Sequence, residues 1–371
     1  MKKTLIALAV LSSLASIAQA QSSVTLYGIA DAGIGSKSTT VRTNTAGVVA
    51  STKTTQTVID SGSMATSRFG MRGSEDLGGG LKAVFNLEGG VELDTGAGNT
   101  SGGNLFSRQA TVGLSGDFGT VTLGRQLTAY YTLAGATNHS GNTVLFSLTQ
   151  NAQVYANGVA NYTSRSSNSV RYTSPSFGGF SGAAMFGTGE DKDSPVGTSA
   201  SRNASLHLKY ANGPLLVGYA YQNERFKAGA MNGLVSATPL AATSTSIGER
   251  DYNLFAGSYD FGVAKITGSY QAAKQKNSAV AANNGKDKEF QTGVSVPLGA
   301  STLYAGYVRS KSDATGLKAQ GFTLLGTYSL SKRTSLYAGG ITQKYDLAAL
   351  AVGASSIEKR NAVVAGLRHN F

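Results

Sequence analysis

The segment Leu81-Lys82-Ala83-Val84-Phe85-Asn86-Leu87-Glu88 alternates along its length: Leu81, Ala83, Phe85 and Leu87 share one face, and Lys82, Asn86 and Glu88 lie on the other. Successive strand side chains point to opposite sides, so this period of two reads as a β-strand with one apolar and one polar face. The pattern recurs. In 205–210, Leu206, Leu208 and Tyr210 oppose Ser205, His207 and Lys209. In 322–330, Phe322, Leu324, Gly326, Tyr328 and Leu330 oppose Thr323, Thr327 and Ser329. A 3.6-residue period fits none of these segments.

Composition narrows the class. The 371 residues include 48 Gly, 17 Tyr and 14 Phe, with 5 Pro and no Cys or Trp. There is no run of roughly 20 apolar residues of the kind a helical membrane span needs. The aromatic content is too high for a solvated, disordered chain. Without Cys there are no disulfides, no Cys-ligated zinc and no thiol catalysis. These features point to an all-β chain.

The N-terminus is set apart from the rest. Lys2 and Lys3 precede an apolar stretch from Leu5 to Leu11, and small residues lead to Ala18-Gln19-Ala20. That is the basic, apolar and cleavage-site order of a secretory signal. Residues 1–20 are therefore expected to be removed, leaving 21–371 as one barrel domain. Taking 20 from 371 leaves 351 residues, and losing Lys2 and Lys3 takes the formal net charge from +12 to +10.

An exported chain of two-faced strands suits a bacterial outer membrane. In hydrocarbon every backbone donor and acceptor must be satisfied within the protein, so β-structure can span only as a closed barrel. Its strands run about 9–11 residues, apolar toward lipid and polar toward the lumen. Short turn signals stand at 75–78, 116–119, 175–178, 211–214, 259–262, 296–299 and 331–333. Longer polar stretches alternate with them near 36–65, 92–104, 128–164, 191–201, 227–247, 276–286, 312–318 and 346–357. Seven short and eight long connections join sixteen strands, an even number with short periplasmic turns and longer outer loops. The terminal Phe371 is expected to close the barrel against the first strand, near Val24 to Asp31.

Several stretches carry a family resemblance. They are Ser22-Ser23-Val24-Thr25-Leu26-Tyr27-Gly28-Ile29-Ala30-Asp31, Ser67-Arg68-Phe69-Gly70-Met71-Arg72-Gly73-Ser74-Glu75-Asp76-Leu77-Gly78, Val121-Thr122-Leu123-Gly124-Arg125-Gln126, Ser169-Val170-Arg171-Tyr172-Thr173-Ser174-Pro175 and Gly366-Leu367-Arg368-His369-Asn370-Phe371. In this order, over the full mature length, they resemble the general porins of β-proteobacteria. The resemblance implies a 16-stranded antiparallel transmembrane β-barrel, a homotrimer, with a long third loop folded into the lumen. It also implies a cluster of wall arginines that faces this loop and sets ion selectivity.

Arg68 and Arg72 share a strand face opposite Phe69 and Met71, so alternation alone turns both toward water. The resemblance places Arg68, Arg108 and Arg165 on the constriction wall with the carboxylate Glu88 near them. Alternation puts Arg108 on the face of Phe106, Val112 and Leu114. A bulge would re-aim it; without one, only the resemblance turns it inward. The plain alternative is that all five are ordinary solvated lumen charges.

The third loop adds a point of its own. From Gln126 through Ser164 there is no Asp, Glu, Lys or Arg, and His139 is the one group there that titrates near neutrality. The surface opposing the arginines would be Tyr, Asn, Ser and Thr, including Tyr130, Tyr131 and Asn138. Arginines across a narrow aqueous gap from an uncharged surface favour anions.

Other chemistry finds little support. Gly28 to Lys37 lacks the contiguous Gly-Lys-Ser/Thr of a phosphate loop. The three His residues, His139, His207 and His369, are not at metal-ligand spacing, and no cofactor is called for. No nucleophile elbow and no nucleic-acid motif appears. Lys274 to Lys276 and Lys332-Arg333 could touch lipopolysaccharide phosphates but read more simply as solvated charges. The leading expectation is a passive outer-membrane channel for small hydrophilic solutes with anion preference, surrounded by lipid and lipopolysaccharide. A channel selective for phosphate or an organic anion is the second, and a barrel enzyme the third.

Overall fold

The computed structural model describes residues 23–371 except 100–103, 142, 148–161, 190–200, 228–246, 277–284, 314–315 and 347–351. The expected signal lies outside the described residues, as do parts of every expected long loop after the first. The strand segments are β1 (Ser23–Thr45), β2 (Val48–Ser61), β3 (Arg68–Gly78), β4 (Leu81–Val91), β5 (Gly98–Asn99), β6 (Gln109–Gly116), β7 (Gly119–Leu127), β8 (Arg165–Thr173) and β9 (Phe180–Thr188). They continue as β10 (Arg202–Asn212), β11 (Leu215–Lys227), β12 (Ile247–Asp260), β13 (Lys265–Lys276), β14 (Gly285–Leu298), β15 (Ser301–Ser312), β16 (Lys318–Ser329), β17 (Thr334–Asp346) and β18 (Ser355–Asn370). Among the described residues one helix, α1 (Ala129–Ala136), follows β7.

Neighbouring strands pair antiparallel, and β18 pairs with β1 to close the sheet. β3 pairs with the first part of β1, from Ser23↔Ser74 to Ile29↔Arg68, and β2 with the remainder, from Ala32↔Ser61 to Thr45↔Val48. These two segments are thus one barrel strand interrupted at 62–67. β5 is a two-residue pairing in the loop after β4. The eighteen segments therefore make a sixteen-stranded barrel with seven short turns; the first is at 79–80 because 75–78 belong to β3, and the other six overlap the stretches expected from sequence.

The faces are inverted relative to a water-soluble protein. Leu206 and Leu208 are 43% and 55% exposed on the outside of β10, while Ser205 and His207 between and beside them are buried inside. Phe322 and Leu324 face outward on β16 in the same way. In a transmembrane barrel lipid, rather than protein, covers such apolar side chains.

One expectation changes. The stretch 36–65 is mostly not a loop. β1 runs to Thr45, turns at Ala46 and Gly47, both with positive φ, and returns as β2. A two-residue turn of this hand matches the strand twist. The hairpin is rich in Thr and Val, which favour strands, but it lacks apolar alternation. Closure is as expected: Phe371 exchanges backbone hydrogen bonds with Gly28, within 24–31, at 3.0 and 3.1 Å, and β18 runs on along Ile29 to Thr43. On its other edge β1 pairs with β3 over residues 23–29.

The seam carries a buried anchor. Asp31 is fully buried; its Oδ1 accepts from the Tyr337 hydroxyl at 2.7 Å and its Oδ2 from the Ala65 N–H at 2.7 Å. This ties β1, β17 and the 62–67 crossing together. Tyr337→Phe should cost about 1–3 kcal/mol, because it strands a buried carboxylate oxygen. A lower unfolding temperature of the detergent-solubilised barrel checks this; an unchanged one contradicts it.

Candidate functional site

Glu88 organises the basic side of the lumen. It lies on the inner face of β4, 4% exposed. Its Oε1 accepts from Arg108 Nε at 2.6 Å, and its Oε2 accepts from the Tyr27 hydroxyl of β1 at 3.1 Å. Arg68 Nη1 stands 4.0 Å from the same Oε1, and Arg68 Nε donates to the Thr66 carbonyl at 2.8 Å. Arg165 Nε donates to the Arg108 carbonyl at 2.9 Å, and its guanidinium lies 6.0 Å from the centre of the Tyr131 ring. Arg68, Arg108 and Arg165 are thus joined in one set of contacts around a single carboxylate. Three guanidinium charges against one carboxylate leave two net positive charges.

Arg108 reaches this set for a reason alternation misses. Gln109 and Thr111 of β6 face the lumen, and Val112 and Leu114 face outward, 59% and 44% exposed. Arg108 has the outward parity, yet the ladder starts at Gln109, so the strand rule no longer fixes its side chain. Arg72 is not part of the cluster. Four residues along β3 toward the short turn, its guanidinium sits over the Tyr27 ring at 5.1 Å. There, with Arg171, Asn86, Thr111, Thr122 and Gln126, it lines a cavity of about 490 Å³.

The third loop crosses the inside of the barrel on three supports. At the first, Thr128 caps α1 by accepting from the Tyr131 N–H at 3.2 Å. Tyr130 and Leu133 then share one helix face and pack on Ala220, Tyr252 and Leu254 of β11 and β12. His207 Nδ1 donates to the Ala129 carbonyl at 2.7 Å, and the Ala129 N–H donates to Ser205 Oγ at 3.0 Å. Arg171 donates to the Leu127 carbonyl at 3.1 Å and to Thr132 Oγ1 at 3.2 Å.

The second support is a notch. Gly293 of β14 and Gly306 of β15 are directly opposed, and a Cβ on either would overlap the His139 ring. Gln291 Nε2 donates to His139 Nδ1 at 3.1 Å, and burial pushes the imidazole pKa down to about 4. His139 is therefore uncharged at neutral pH. At the third support Phe146 stacks edge-on against Tyr337 at 6.2 Å, over Gly339.

Of the three loop residues singled out from sequence, only Tyr131 faces the arginines. Tyr130 is fully buried between helix and wall. Asn138 is 7% exposed and bonded within the loop tip, its Nδ2 donating to Ser147 Oγ at 2.5 Å and its Oδ1 accepting from Ser140. Sequence reasoning missed Tyr27, Arg171, Ser205 and His207, and the glycines that make the notch. Their one signal was inward parity, which does not say what a residue touches. Among the described residues no three His, Asp or Glu side chains are grouped to hold a metal ion.

Comparison with known proteins agrees with this geometry. The chain is 34% identical to outer membrane porin protein 32 of Delftia acidovorans, and equally so to an outer membrane porin protein of Bordetella pertussis, with 100% of both chains covered in each case. Its fold matches the solved anion-selective porin from Comamonas acidovorans with a TM-score of 0.74 at 30% identity, covering 95% of this chain and 100% of that one. The model of the Gram-negative porin family matches residues 7–349. With a closed barrel of apolar exterior and an inward-folded loop, this chain belongs to the Gram-negative porin family.

Proposed function

We propose that this outer-membrane porin is a passive channel for small hydrophilic solutes that prefers anions at its narrowest part, formed by Arg68, Arg108 and Arg165 opposite the third loop. The observation that carries this reading is the charge imbalance across the gap. The basic side keeps a net excess after Glu88 is counted, while Gln126–Ser164 supplies no ionised side chain. Low-dielectric walls focus such a field onto passing ions. The 30%-identical Comamonas porin, anion-selective by its description, supports the same reading. Residues 1–20 direct export and are removed after Ala20. The active form is a homotrimer, in keeping with the apolar outward side chains Val24 and Leu26, each 67% exposed on β1; triplet conductance steps in bilayers test this.

A phosphate- or organic-anion-selective channel is the second reading, favoured by the cavity lined by Arg72 and Arg171. Single-channel conductance separates the two. A diffusion channel gives current that rises with salt activity and is unaffected by millimolar phosphate. Saturation with block by phosphate would replace the first reading by the second.

A further inference from the structure

Four buried oxygens lie together on the inner wall of the barrel, none of them hydrogen-bonded among the described residues. They are Asp287 Oδ1 and Oδ2 and Glu289 Oε2, from β14, and Ser312 Oγ, from β15. Asp287 and Glu289 take successive inward positions on β14, 4% and 3% exposed. Ser312 is fully buried and directly opposite Asp287 in the ladder, its hydroxyl turned toward that carboxylate without bonding to it. Gln271 of β13 and Ser310 of β15 stand opposite Glu289 on either side, both buried.

Two buried carboxylates side by side call for a counter-charge, because charges inside a protein are paired or coordinate a metal. The neighbouring side chains do not supply it. Lys286 and Lys288 alternate with the two acids on β14 and are exposed on its other face. Lys311 pairs with Asp313 at 3.1 Å, and Lys276 with Asp251 at 2.5 Å. Arg250 of β12 is two strands away and donates from Nε to Gln275 Oε1 at 3.1 Å. His139, which meets β14 at Gln291, is uncharged at neutral pH.

We infer that Asp287 and Glu289, with the hydroxyl of Ser312 and the neighbouring Ser310 and Gln271, bind a calcium ion on the inner wall at the outer end of β14. The donors are carboxylate, hydroxyl and amide oxygens, which suit a hard cation rather than zinc or copper. Two carboxylates match its charge. Calcium tolerates irregular surroundings and completes its six to eight oxygen ligands with hydroxyls, amide carbonyls and water. β14 begins after the long connection at 276–286, so the site lies toward the outer mouth, and the ion reaches it without crossing the membrane. Gln291, the next inward residue after Glu289, holds His139. The ion therefore braces the part of the wall on which the tip of the third loop rests.

The test is heat unfolding of the purified protein in detergent, with EDTA or with calcium chloride at about 10 mM, above the roughly 0.1–1 mM range of extracellular calcium modules. Ionic strength is matched between the two. Calcium should raise the wild-type unfolding temperature by at least about 3 °C, as a ligand of the folded state does. Asp287→Asn/Glu289→Gln should lose that shift while being at least as heat-stable as wild type in EDTA, since two buried like charges are gone. Glu75→Gln, exposed at the other end of the barrel, should keep the whole shift. Tyrosine-sensitised terbium emission gives a second reading on wild type alone: Tyr252 lies two strands from Asp287, through Ala273, and calcium should displace the signal. The proposal fails if calcium leaves the wild-type unfolding temperature unchanged, the carboxyls then holding protons instead. It fails equally if the double variant shifts as much as wild type, if Glu75→Gln loses the shift, or if calcium does not displace terbium.

Discussion

Replacing Arg68, Arg108 and Arg165 together by Gln should abolish anion preference and carry the reversal potential slightly past zero toward cations. The sign follows from the charges that remain. With the three guanidinium groups gone, Glu88 is left as the one charge of the cluster, bonded by Tyr27. Two net positive charges about 5 Å from an ion path in water-like dielectric shift anions and cations oppositely by about 1.5 kcal/mol each. Screening at 0.1 M salt, where the Debye length is about 10 Å, roughly halves this. A permeability ratio on the order of ten is the result for wild type, and it should fall below one in the triple variant. Glu88→Gln alone should move the ratio the other way. A triple variant as anion-selective as wild type would place the selecting field elsewhere, in Arg72 and Arg171 or in the outer loops.

The second large effect concerns the notch. Gly306→Val puts a Cβ into the His139 ring while leaving β15 a good strand, because Val suits a pleated sheet. The imidazole is hemmed in by Gly293 on the neighbouring strand, so it has no way to slide along the wall. The loop tip should lift from β14 and β15, while α1 stays held by His207, Ser205 and Arg171. Single-channel conductance should rise by a factor of about two or more, with larger solutes admitted, since pore width at the narrowest point governs both. The milder Gly306→Ala should show the same direction, and His139→Ala in that background should bring conductance back toward wild type by removing the clashing ring. Unaltered conductance in Gly306→Val would mean that the notch does not set the position of the loop.

The barrel was legible in the sequence wherever lipid forces apolar residues outward. Leu206 and Leu208 against Ser205 and His207, or Phe322 and Leu324 against Thr323, show the dyad as written in the chain. Where that force is missing, the signal fades. The β1–β2 hairpin has no apolar alternation and reads as a loop, though β1 and β2 pair along its whole length. The basic side of the site was legible in part. Arg68 and Glu88 followed from parity, whereas Arg108 sits one residue outside the ladder that parity describes. The loop was legible only in its lack of charge. That Tyr131 faces Arg165 while its neighbour Tyr130 is buried depends on helix α1, which Thr128 starts and the wall of β10 to β12 orients. No periodicity announces eight helical residues inside a polar stretch. The notch likewise joins a loop residue to glycines more than 150 positions away, so it becomes visible only once the strands are in register.

An arginine cluster that Glu88 only partly neutralises, facing an uncharged loop, should make the channel prefer anions. The most direct measurement is the zero-current potential of the unmodified protein in a planar bilayer under a tenfold KCl gradient at pH 7. The charge arrangement predicts a potential directed toward chloride, with chloride several-fold more permeant than potassium and the preference weakening as salt is raised to 1 M. A potential directed toward potassium would contradict it.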